Sequence, residues 1–245
     1  MRYGIISDIH SNIEALNEAL RILSDKNVNY IISLGDIVGY GPDPEECTDA
    51  IISKSIISVM GNHDFGLNSL DYENYFNTYA REAIRWTRDK VSERTKTFIK
   101  GLPLFITKDN FTMFHGNLSE KEPFFYIISE SDAIVSFSNL KTPIGFFGHS
   151  HIPGIFSMGK DTNIKYGYGE PGQKIVLKDN HKYLINPGSV GQPRDGLSKG
   201  SFIVFDDALM SVEFVRFSYD IEKVYNKIIN IGLPAFLGER LFMGF

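Results

Sequence analysis

The segment Ile5-Ile6-Ser7-Asp8-Ile9-His10 shows the pattern that decides the fold of this chain. An apolar run leads directly into residues that can ligate a metal. The same plan returns in four later segments: Ile31-Ile32-Ser33-Leu34-Gly35-Asp36, Ser58-Val59-Met60-Gly61-Asn62-His63-Asp64, Phe111-Thr112-Met113-Phe114-His115-Gly116 and Gly145-Phe146-Phe147-Gly148-His149-Ser150-His151. Strands that each end in a ligand predict that several strand ends converge on one polar site that holds metal.

The size and composition are those of a single globular domain. The chain has 245 residues, of which 42% are hydrophobic and 22% are charged. Single α/β or two-sheet domains of about 200–250 residues are ordinary, so we expect one domain over residues 1–245. The net charge of -5 argues against extensive nucleic-acid binding, which needs a basic surface. It does not exclude a small anionic substrate, because the charge of a bound metal can outweigh the mean field.

The single cysteine and the absence of long apolar runs predict a cytoplasmic protein without a membrane partner. Cys47 is the only cysteine, so no intramolecular disulfide can form and a reducing compartment is expected. Its acidic surroundings disfavour a thiolate, which predicts a structural role. The N-terminus lacks the shape of a signal peptide, and no apolar run approaches the roughly 20 residues that span a bilayer.

The beginning of the chain alternates strands with helices. Strands are predicted at 2–7, 29–34 and 56–60, with a helix capped by Asn12 after the first and a short helix to about Ser53 after the second. This β-α-β-α-β order predicts a parallel sheet with right-handed crossovers.

The rest of the chain is predicted to add helices and a second sheet. We expect a helix over 71–100, strands at 103–106 and 110–115, a helix near 129–138 and a strand at 143–148. Short turn-separated runs follow at 153–158, 173–178, 182–186, 200–206 and 210–217. They predict a mostly antiparallel second sheet packed on the first, with a hairpin turn at Asp206-Asp207. The stretch from Tyr166 to Gly172 is expected to be a surface loop, and Asp220 is expected to cap a final amphipathic helix.

The candidate ligands mix imidazole, carboxylate and amide groups. They are Asp8, His10, Asp36, Asn62, His115, His149 and His151. A structural zinc site is rich in cysteine and four-coordinate, whereas this set is too large for one ion and suits Mn, Fe, Zn or Co. Two such ions about 3.5–4 Å apart can clamp a phosphate and activate a bridging water. Asp8 and His10, and likewise His149 and His151, are two residues apart, so an extended backbone would point each pair to one side.

The five blocks resemble the motifs of the calcineurin-like metallophosphoesterases, which are D-x-H, G-D-x-x-[DG], G-N-H-[DE], a histidine before small residues, and G-H-x-H. Here they read Asp8-Ile9-His10, Gly35-Asp36-Ile37-Val38-Gly39, Gly61-Asn62-His63-Asp64, His115-Gly116-Asn117 and Gly148-His149-Ser150-His151, in that order. The resemblance implies an α/β protein built as a two-sheet β-sandwich flanked by helices, in four layers α-β-β-α.

The same resemblance implies how the residues divide their roles. One metal would take Asp8, His10, Asp36 and His151, and the other would take Asp36, Asn62, His115 and His149, with Asp36 bridging. His63 would be the general acid for the leaving oxygen, with Asp64 fixing its orientation. Imidazolium can protonate an alkoxide near neutral pH, and a neighbouring carboxylate favours that charged form. His181 lies outside every block, in a polar turn, and is expected to be solvent-exposed and non-catalytic.

Three further segments resemble a bacterial and archaeal branch that is often described as phosphodiesterase or diadenosine tetraphosphatase-like: Ser7–Asn12, Gly35–Pro42 and Asn186–Arg194. Arg194 can grip a second phosphate through a bidentate contact, or it can pair with Asp195 or another acid within a turn. Asn12 is favoured as a helix cap over a substrate ligand. Tyr40 can stack on a nucleobase or sugar, or it can simply be packed.

We therefore expect a phosphoric ester hydrolase. A hydroxide that bridges two metals would attack the phosphorus of a phosphodiester, nucleotide or dinucleoside polyphosphate, and His63 would protonate the leaving group. The alternatives are a phosphoprotein phosphatase and a non-catalytic metal-binding regulatory module on the same fold. A DNA nuclease is disfavoured by the pI of about 5.7. The aromatic end Phe242–Phe245 can be a contact patch between chains or pack on the body, so the sequence leaves an oligomer open.

Overall fold

The computed structural model describes all residues from 1 to 245. The strands are β1 (Arg2–Ile6), β2 (Tyr30–Ser33), β3 (Ile57–Ser58), β4 (Phe105–Thr107), β5 (Phe111–Phe114), β6 (Ile144–Phe146), β7 (Gly154–Met158), β8 (Ile164–Tyr168), β9 (Lys174–Val176), β10 (Lys182–Asn186), β11 (Gly200–Asp206) and β12 (Ser211–Phe217). The helices are α1 (Ile13–Asp25), α2 (Pro44–Ser53), α3 (Asn62–Asn68), α4 (Thr78–Lys90), α5 (Glu93–Lys100), α6 (Glu130–Asn139), α7 (Ile221–Asn230) and α8 (Phe236–Met243), with a 3₁₀ helix at Asp71–Tyr75.

The strands form two mixed sheets of six strands each. The first sheet has the order β3-β2-β1-β11-β12-β9, and the second has the order β4-β5-β6-β10-β7-β8. In the first sheet β1, β2 and β3 are parallel, and β11 pairs antiparallel with β1. The β-α-β-α-β arrangement predicted from the beginning of the chain is therefore confirmed.

The two sheets pack face to face and helices cover both outer faces. Successive side chains of a strand point to opposite faces, and β1 and β11 follow this rule. Ile5 and Ile203 lie in the core between the sheets with Phe146 of the second sheet. Ile6 and Phe202 lie in the outer core beneath the helices that cover the first sheet. On the other side, α6 packs on the second sheet through a smaller core. The four-layer α-β-β-α sandwich is confirmed.

The strands after His151 do not form a sheet of their own, so that expectation was wrong. Strands β7, β8 and β10 extend the second sheet, in which β10 pairs parallel with β6. Strands β9, β11 and β12 extend the first sheet. Local alternation marks each strand correctly, but it carries no information about which earlier strand it will pair with. Both sheets are consequently mixed, with a parallel half that bears the candidate ligands.

Two local expectations also differ from the structure. The helix predicted over 71–100 is three helical segments, because Asn77 and Ser92 cap α4 and α5 with their side chains and interrupt it. Residues 164–168 were expected in part as a surface loop but form β8, which pairs antiparallel with β7. The tyrosines and glycines of that segment led to the prediction of a loop. The segment is instead an edge strand, which pairs with β7 alone.

Other local predictions are confirmed. The Asn12 side chain caps α1 by accepting from Ala15 N, and Asp220 caps α7 by accepting from Lys223 N. Strands β11 and β12 form the expected hairpin. Cys47 is buried in the outer core, and burial raises the pKa of its thiol, in agreement with a structural role. The longest apolar helices fall short of what a membrane span requires.

Candidate metal centre

The candidate ligands follow five strands of both sheets. Asp8 and His10 follow β1, Asp36 follows β2, and Asn62 follows β3. His115 follows β5, and His149 and His151 follow β6. All of these side chains are buried. The sheet edges at which these parallel strands end therefore bring together residues that are up to 143 positions apart in sequence, as the interval from 8 to 151 shows.

The backbone at these positions is turned rather than extended. Asp8, His10, Asp36, His149 and His151 all have positive φ values, of 53°, 48°, 52°, 67° and 60°. The expectation of an extended backbone was therefore wrong, although Asp8 and His10 do lie in one donor group, whereas His149 and His151 belong to different groups. Non-glycine residues in the left-handed region cost free energy and cluster at functional sites. The turns bring carboxylates and imidazoles close together, and the backbone free energy of the left-handed conformation is the cost of that arrangement.

The first group of donors consists of Asp8, His10 and His151. His151 Nε2 lies 3.2 Å from Asp8 Oδ1, and His10 Nε2 lies 3.1 Å from His151 Nε2. Asp8 Oδ2 accepts a hydrogen bond of 3.1 Å from the backbone N–H of His149. The other oxygen, Oδ1, is buried and has no hydrogen-bond partner. One carboxylate oxygen is thus fixed by the backbone while the other is left facing the two imidazoles.

The second group consists of Asp36, His115 and His149, with the Asn62 amide beside them. His115 Nε2 lies 3.3 Å from Asp36 Oδ2, 3.2 Å from His149 Nδ1 and 3.2 Å from Asn62 Oδ1. Asp36 Oδ2 also lies 3.6 Å from His10 Nε2 of the first group. The two groups therefore meet at a single carboxylate oxygen.

Backbone carbonyls fix three of the imidazole rings. His10 Nδ1 lies 3.2 Å from Val38 O, His115 Nδ1 lies 2.8 Å from Leu34 O, and His151 Nδ1 contacts Gln192 O. A carbonyl can only accept, so each ring carries a proton on Nδ1 and turns Nε2 inward. This is the second-shell arrangement that orients histidine ligands around metals.

Burial and charge set the protonation of the site. Burial lowers the pKa values of His10, His149 and His151 well below their ordinary range, so these rings are neutral. Burial also opposes the charged form of His115, but the adjacent Asp36 carboxylate outweighs it and raises the pKa of His115 to about 9. Without a metal, one proton on His115 thus supplies the positive charge that the carboxylate requires.

The donor set fits metal ions. The neutral rings of His10 and His151 face each other through Nε2 atoms 3.1 Å apart, and Asp8 has an orphaned carboxylate oxygen beside them, so these atoms lack the hydrogens that would satisfy them. A cation satisfies the lone pairs of all these atoms at once. Mixed nitrogen and oxygen donors suit Mn, Fe, Zn or Co, and the site contains no cysteine.

His63 lies beside both groups, on the wall of a cavity. Its ring packs on Phe76 with centroids 4.7 Å apart, on Tyr40 at 4.4 Å and against His10 at 4.9 Å. Its Nδ1 is buried without a hydrogen-bond partner, and burial lowers the pKa of His63 to about 4. The ring is therefore neutral until an anion is bound next to it.

Asp64 makes no hydrogen bond to the His63 ring, which was expected to depend on it for its orientation. Both oxygens of Asp64 accept from backbone N–H groups: Oδ1 from Ile37 and Val38 at 3.0 and 3.2 Å, and Oδ2 from Gly61 at 3.0 Å. The carboxylate therefore links the turn after β2 to the turn after β3 through hydrogen bonds. These turns approach so closely that a Cβ on Gly61 would collide with the Asp36 carboxylate.

Asn12 and Tyr40 lie at the edge of the centre. The Asn12 carbonyl caps α1 and its amide donates to Gly191 O at 2.9 Å. Both polar groups of the Asn12 side chain therefore stabilise the fold, in agreement with the helix cap that the sequence favours. Tyr40 is 6% exposed and packs on His10 and His63, yet it also lines the cavity.

Arg194 points into the same cavity and does not pair with Asp195. Asp195 is buried against Arg216 and the Tyr168 hydroxyl instead. Arg194 Nη2 donates to Gln192 Oε1 at 2.7 Å, while its Nε is buried without a partner. Of the two alternatives that the sequence left open, the pairing with Asp195 is excluded. His181 lies outside this region, beside Tyr183 on a partly exposed turn.

Sequence reasoning missed most of the cavity wall. The cavity has a volume of about 250 Å³. Beside His63, His149, His151 and Arg194 it is lined by aromatic side chains that no motif marks: Tyr72, Tyr75, Phe76, Phe124 and Tyr126. Tyr126 stacks on the His149 ring with centroids 3.8 Å apart. Tyr72 stacks on Tyr75 and meets Phe124 edge to face. The only sequence signal was the aromatic fraction of 13%, which favoured core packing.

Similarity to known proteins extends over the whole chain. Residues 1–207 match the calcineurin-like phosphoesterase superfamily domain. The chain is 42% identical to Uncharacterized protein MJ0912 of Methanocaldococcus jannaschii, over 98% of this chain and 97% of that protein. A metallophosphoesterase from Sphaerobacter thermophilus has a similar structure, with a TM-score of 0.85 and 34% identity over 100% of both chains. A putative diadenosine tetraphosphatase shares the fold, with a TM-score of 0.57 and 18% identity over 89% of this chain and 94% of that chain.

Proposed function

Because the chain belongs to the calcineurin-like phosphoesterase superfamily, we propose that it is a phosphoester hydrolase that uses two metal ions. Its substrate is a small phosphorylated molecule: a phosphodiester, a nucleotide or a dinucleoside polyphosphate. The ions are drawn from Mn, Fe, Zn and Co.

The observation that carries this proposal is the position of Asp36 Oδ2. It lies 3.6 Å from His10 Nε2 on one side and 3.3 Å from His115 Nε2 on the other. Asp8, His10 and His151 would hold one ion, and Asn62, His115 and His149 would hold the other, with Asp36 shared. When bound, such a pair supplies Lewis-acid stabilisation of the phosphoryl oxygens and a hydroxide nucleophile near neutral pH.

His63 would donate a proton to the leaving oxygen. The ring lines the cavity next to both donor groups, and Tyr40 and Phe76 shield its faces from water. Its pKa of about 4 keeps it neutral in the absence of substrate. The negative charge of a bound phosphoester favours the imidazolium form, so protonation accompanies substrate binding.

The cavity limits the substrate in size and chemistry. A volume of about 250 Å³ is at the small end of ordinary ligand sites, which are roughly 300–1,000 Å³. Its lining combines the cationic Arg194 with the aromatic rings of Tyr72 and Tyr75. An anionic group with a planar organic substituent fits this combination, and a folded phosphoprotein segment fits it less well.

The decisive experiment is Mn²⁺-supported hydrolysis of bis-p-nitrophenyl phosphate compared with p-nitrophenyl phosphate. The Asp36→Asn variant keeps the shape of the side chain and should lose activity by about 10³-fold or more, since the ions provide several kcal/mol of transition-state stabilisation. Asp179→Asn, which changes an exposed acid of a polar turn, serves as the matched control. Stoichiometric metal binding with no turnover on any phosphoester would instead indicate a non-catalytic binding module.

A further inference from the structure

A second arginine stands beside the cavity at the end of the chain. Arg240 belongs to α8, and its guanidinium carbon lies 5.9 Å from the centroid of the Tyr40 ring. The guanidinium carbon of Arg194, from the loop after β10, lies 5.7 Å from the same centroid. One aromatic ring, itself packed on the candidate ligand His10, therefore has two cations beside it.

Neither cation has an acidic side chain as partner. The Arg194 guanidinium donates to Gln192, and its Nε is buried and unsatisfied. Arg240 Nε donates to the main-chain oxygen of Phe245, and its guanidinium also lies 5.5 Å from the Phe236 ring centroid. Asp195, the nearest acid in sequence to Arg194, is held by Arg216. Two guanidinium groups are thus gathered around one ring, and only Arg240 has an oxygen of the last residue beside it.

The charge of Arg194 also affects the protonation of Arg240. Burial, and then the positive charge of Arg194, lower the pKa of Arg240 to about 10. Tyr126, which stacks on His149 at the cavity wall, interacts with both guanidinium groups. Arg194 and Tyr40 line the cavity, and Arg240 lies beside the same Tyr40 ring, so an anion bound between the two guanidinium groups would relieve their repulsion.

The fold holds this pair in place from two sides. Gly196 N donates to Gly244 O at 2.9 Å, which ties the end of α8 to the loop of Arg194. Gly244 has a φ of 72°, and a Cβ there would meet the Leu197 backbone at 2.5 Å. On the other side, the buried Asp195–Arg216 pair anchors the same loop to β12. Backbone contacts therefore hold the end of α8, which carries Arg240, against the loop that carries Arg194.

We propose that Arg194 and Arg240 form a second anion site next to the metal centre, and that the substrate carries a further phosphate group beside the one that is cleaved. This deepens the proposed function, on which it rests, by selecting esters of pyrophosphate or polyphosphate over isolated phosphodiesters. Guanidinium groups match phosphate oxygens through paired N–H donors, which makes arginine suited to this role.

The first test measures binding without metal, so that it does not depend on catalysis. The full-length protein, stripped with EDTA, is titrated calorimetrically with inorganic pyrophosphate and with inorganic phosphate. We expect pyrophosphate to bind at least about 10-fold more tightly, which corresponds to about 1.4 kcal/mol. Arg240→Gln should remove about 10-fold of that affinity and leave phosphate affinity within about 2-fold.

Two further variants make the result interpretable. Arg21→Gln removes the same charge from a surface side chain that is 60% exposed, and it should leave pyrophosphate affinity unchanged. Arg194→Gln changes the partner arginine on a different segment and should reproduce the loss if Arg240→Gln fails to fold. Equal affinity of the wild-type protein for phosphate and pyrophosphate, or pyrophosphate binding that survives Arg194→Gln, would overturn the second anion site.

Activity then separates this inference from the proposed function. Arg240→Gln should keep the Mn²⁺-supported hydrolysis of bis-p-nitrophenyl phosphate, which has one phosphate, and lose about 10-fold in kcat/KM on ADP-type pyrophosphate esters. Absence of all hydrolysis in the wild-type protein would reject the proposed function while leaving the binding result standing. An equal loss on both substrates would reject the second anion site while leaving the hydrolase intact.

Discussion

The carboxylate of Asp36 is oriented by the backbone of His63. The His63 N–H donates to Asp36 Oδ1 at 2.8 Å, and the other oxygen is thereby turned toward His10 and His115. The residue proposed to donate a proton thus also holds, through its main chain, the carboxylate proposed to join the two ions. The Asp8 carboxylate is oriented in the same way, because its Oδ2 accepts a hydrogen bond from the backbone N–H of His149.

The number of ions lost should depend on which carboxylate is changed. Asp36→Asn should reduce bound Mn²⁺ below one ion per chain, because both donor groups share its Oδ2. Asp8→Asn should remove one ion only, since Asp8 belongs to one group. Mass spectrometry of the metal content after dialysis measures this, with Asp179→Asn as control. Two ions retained by Asp36→Asn would contradict a shared carboxylate.

Substitution of His63 should lower the rate of hydrolysis most for substrates with poor leaving groups. His63→Ala should lower kcat/KM by about 10²–10⁴-fold for alkyl esters and far less for p-nitrophenyl esters, whose leaving group needs no proton. The readout is the slope of rate against leaving-group pKa, together with metal content. Because His63 lies within reach of His10 and Asp36, an ion lost from His63→Ala would instead identify it as a ligand.

Substitution of Asp64 should lower the stability of the fold and leave the proton transfer to the leaving group unchanged. Asp64→Ala deprives three backbone N–H groups of their acceptor, at about 1–3 kcal/mol for each buried group left unsatisfied. Calorimetry of the metal-free protein should show a Tm lower by about 6 °C or more, since 1 kcal/mol shifts the Tm of a domain of this size by about 2–4 °C. The dependence of rate on leaving-group pKa should stay as in the wild-type protein. A change in that dependence with an unaltered Tm would restore the role in orienting His63.

Protonation of Glu73 in acid should destabilise the 3₁₀ helix that carries Tyr72 and Tyr75 of the cavity lining. Hydrogen bonds from Arg88 and Arg85 hold the pKa of Glu73 below its ordinary value of 4.5, and Glu73 belongs to the 3₁₀ helix between Asp71 and Tyr75. Because the folded pKa is depressed, this stabilisation is complete above pH 4.5 and is lost as pH falls through the folded value.

The matched variant is Glu73→Gln. It should destabilise the protein by about 1–2 kcal/mol at neutral pH and reduce the steepness of acid unfolding. Denaturant unfolding at a series of pH values measures both. Glu18→Gln, which breaks an exposed helical ion pair, is the control and should change stability by less than about 0.5 kcal/mol. Parallel pH profiles for wild type and Glu73→Gln would refute the assignment.

The exposed ring of Tyr75 should favour a planar substituent on the substrate. Tyr75 is 80% exposed yet lines the cavity, and stacking of a base on an aromatic side chain provides about 1–3 kcal/mol. Tyr75→Ala should lower kcat/KM about 5-fold or more for the thymidine p-nitrophenyl diester, and leave the methyl p-nitrophenyl diester unchanged. Tyr79→Ala, which removes a ring stacked on Phe236 outside the cavity, is the control. Equal effects on both diesters would remove the stacking role.

The sequence by itself determined the parallel β-α-β-α-β unit and the set of donors. Apolar runs such as Ile5–Ile6 and Ile31–Ile32 mark buried strands, and the residues that follow them carry the ligands. The order β1, β2, β3 follows from short connections through helices, which allow few arrangements. The caps at Asn12 and Asp220 are equally local, because a cap involves residues within one turn of a helix.

Only the tertiary structure decided how the later strands divide between the two sheets and what surrounds the ligands. Pairing of β11 with β1 joins residues about 200 positions apart, as Ile5↔Ile203 shows, and strand alternation carries no record of the partner. The same long-range packing sets the backbone partners of Asp64, the pairing of Asp195 with Arg216 and the position of Arg194 and Arg240 beside Tyr40. The local sequence determines which side chains lie in a turn. The contacts that those side chains make depend on the free energy of packing the whole chain.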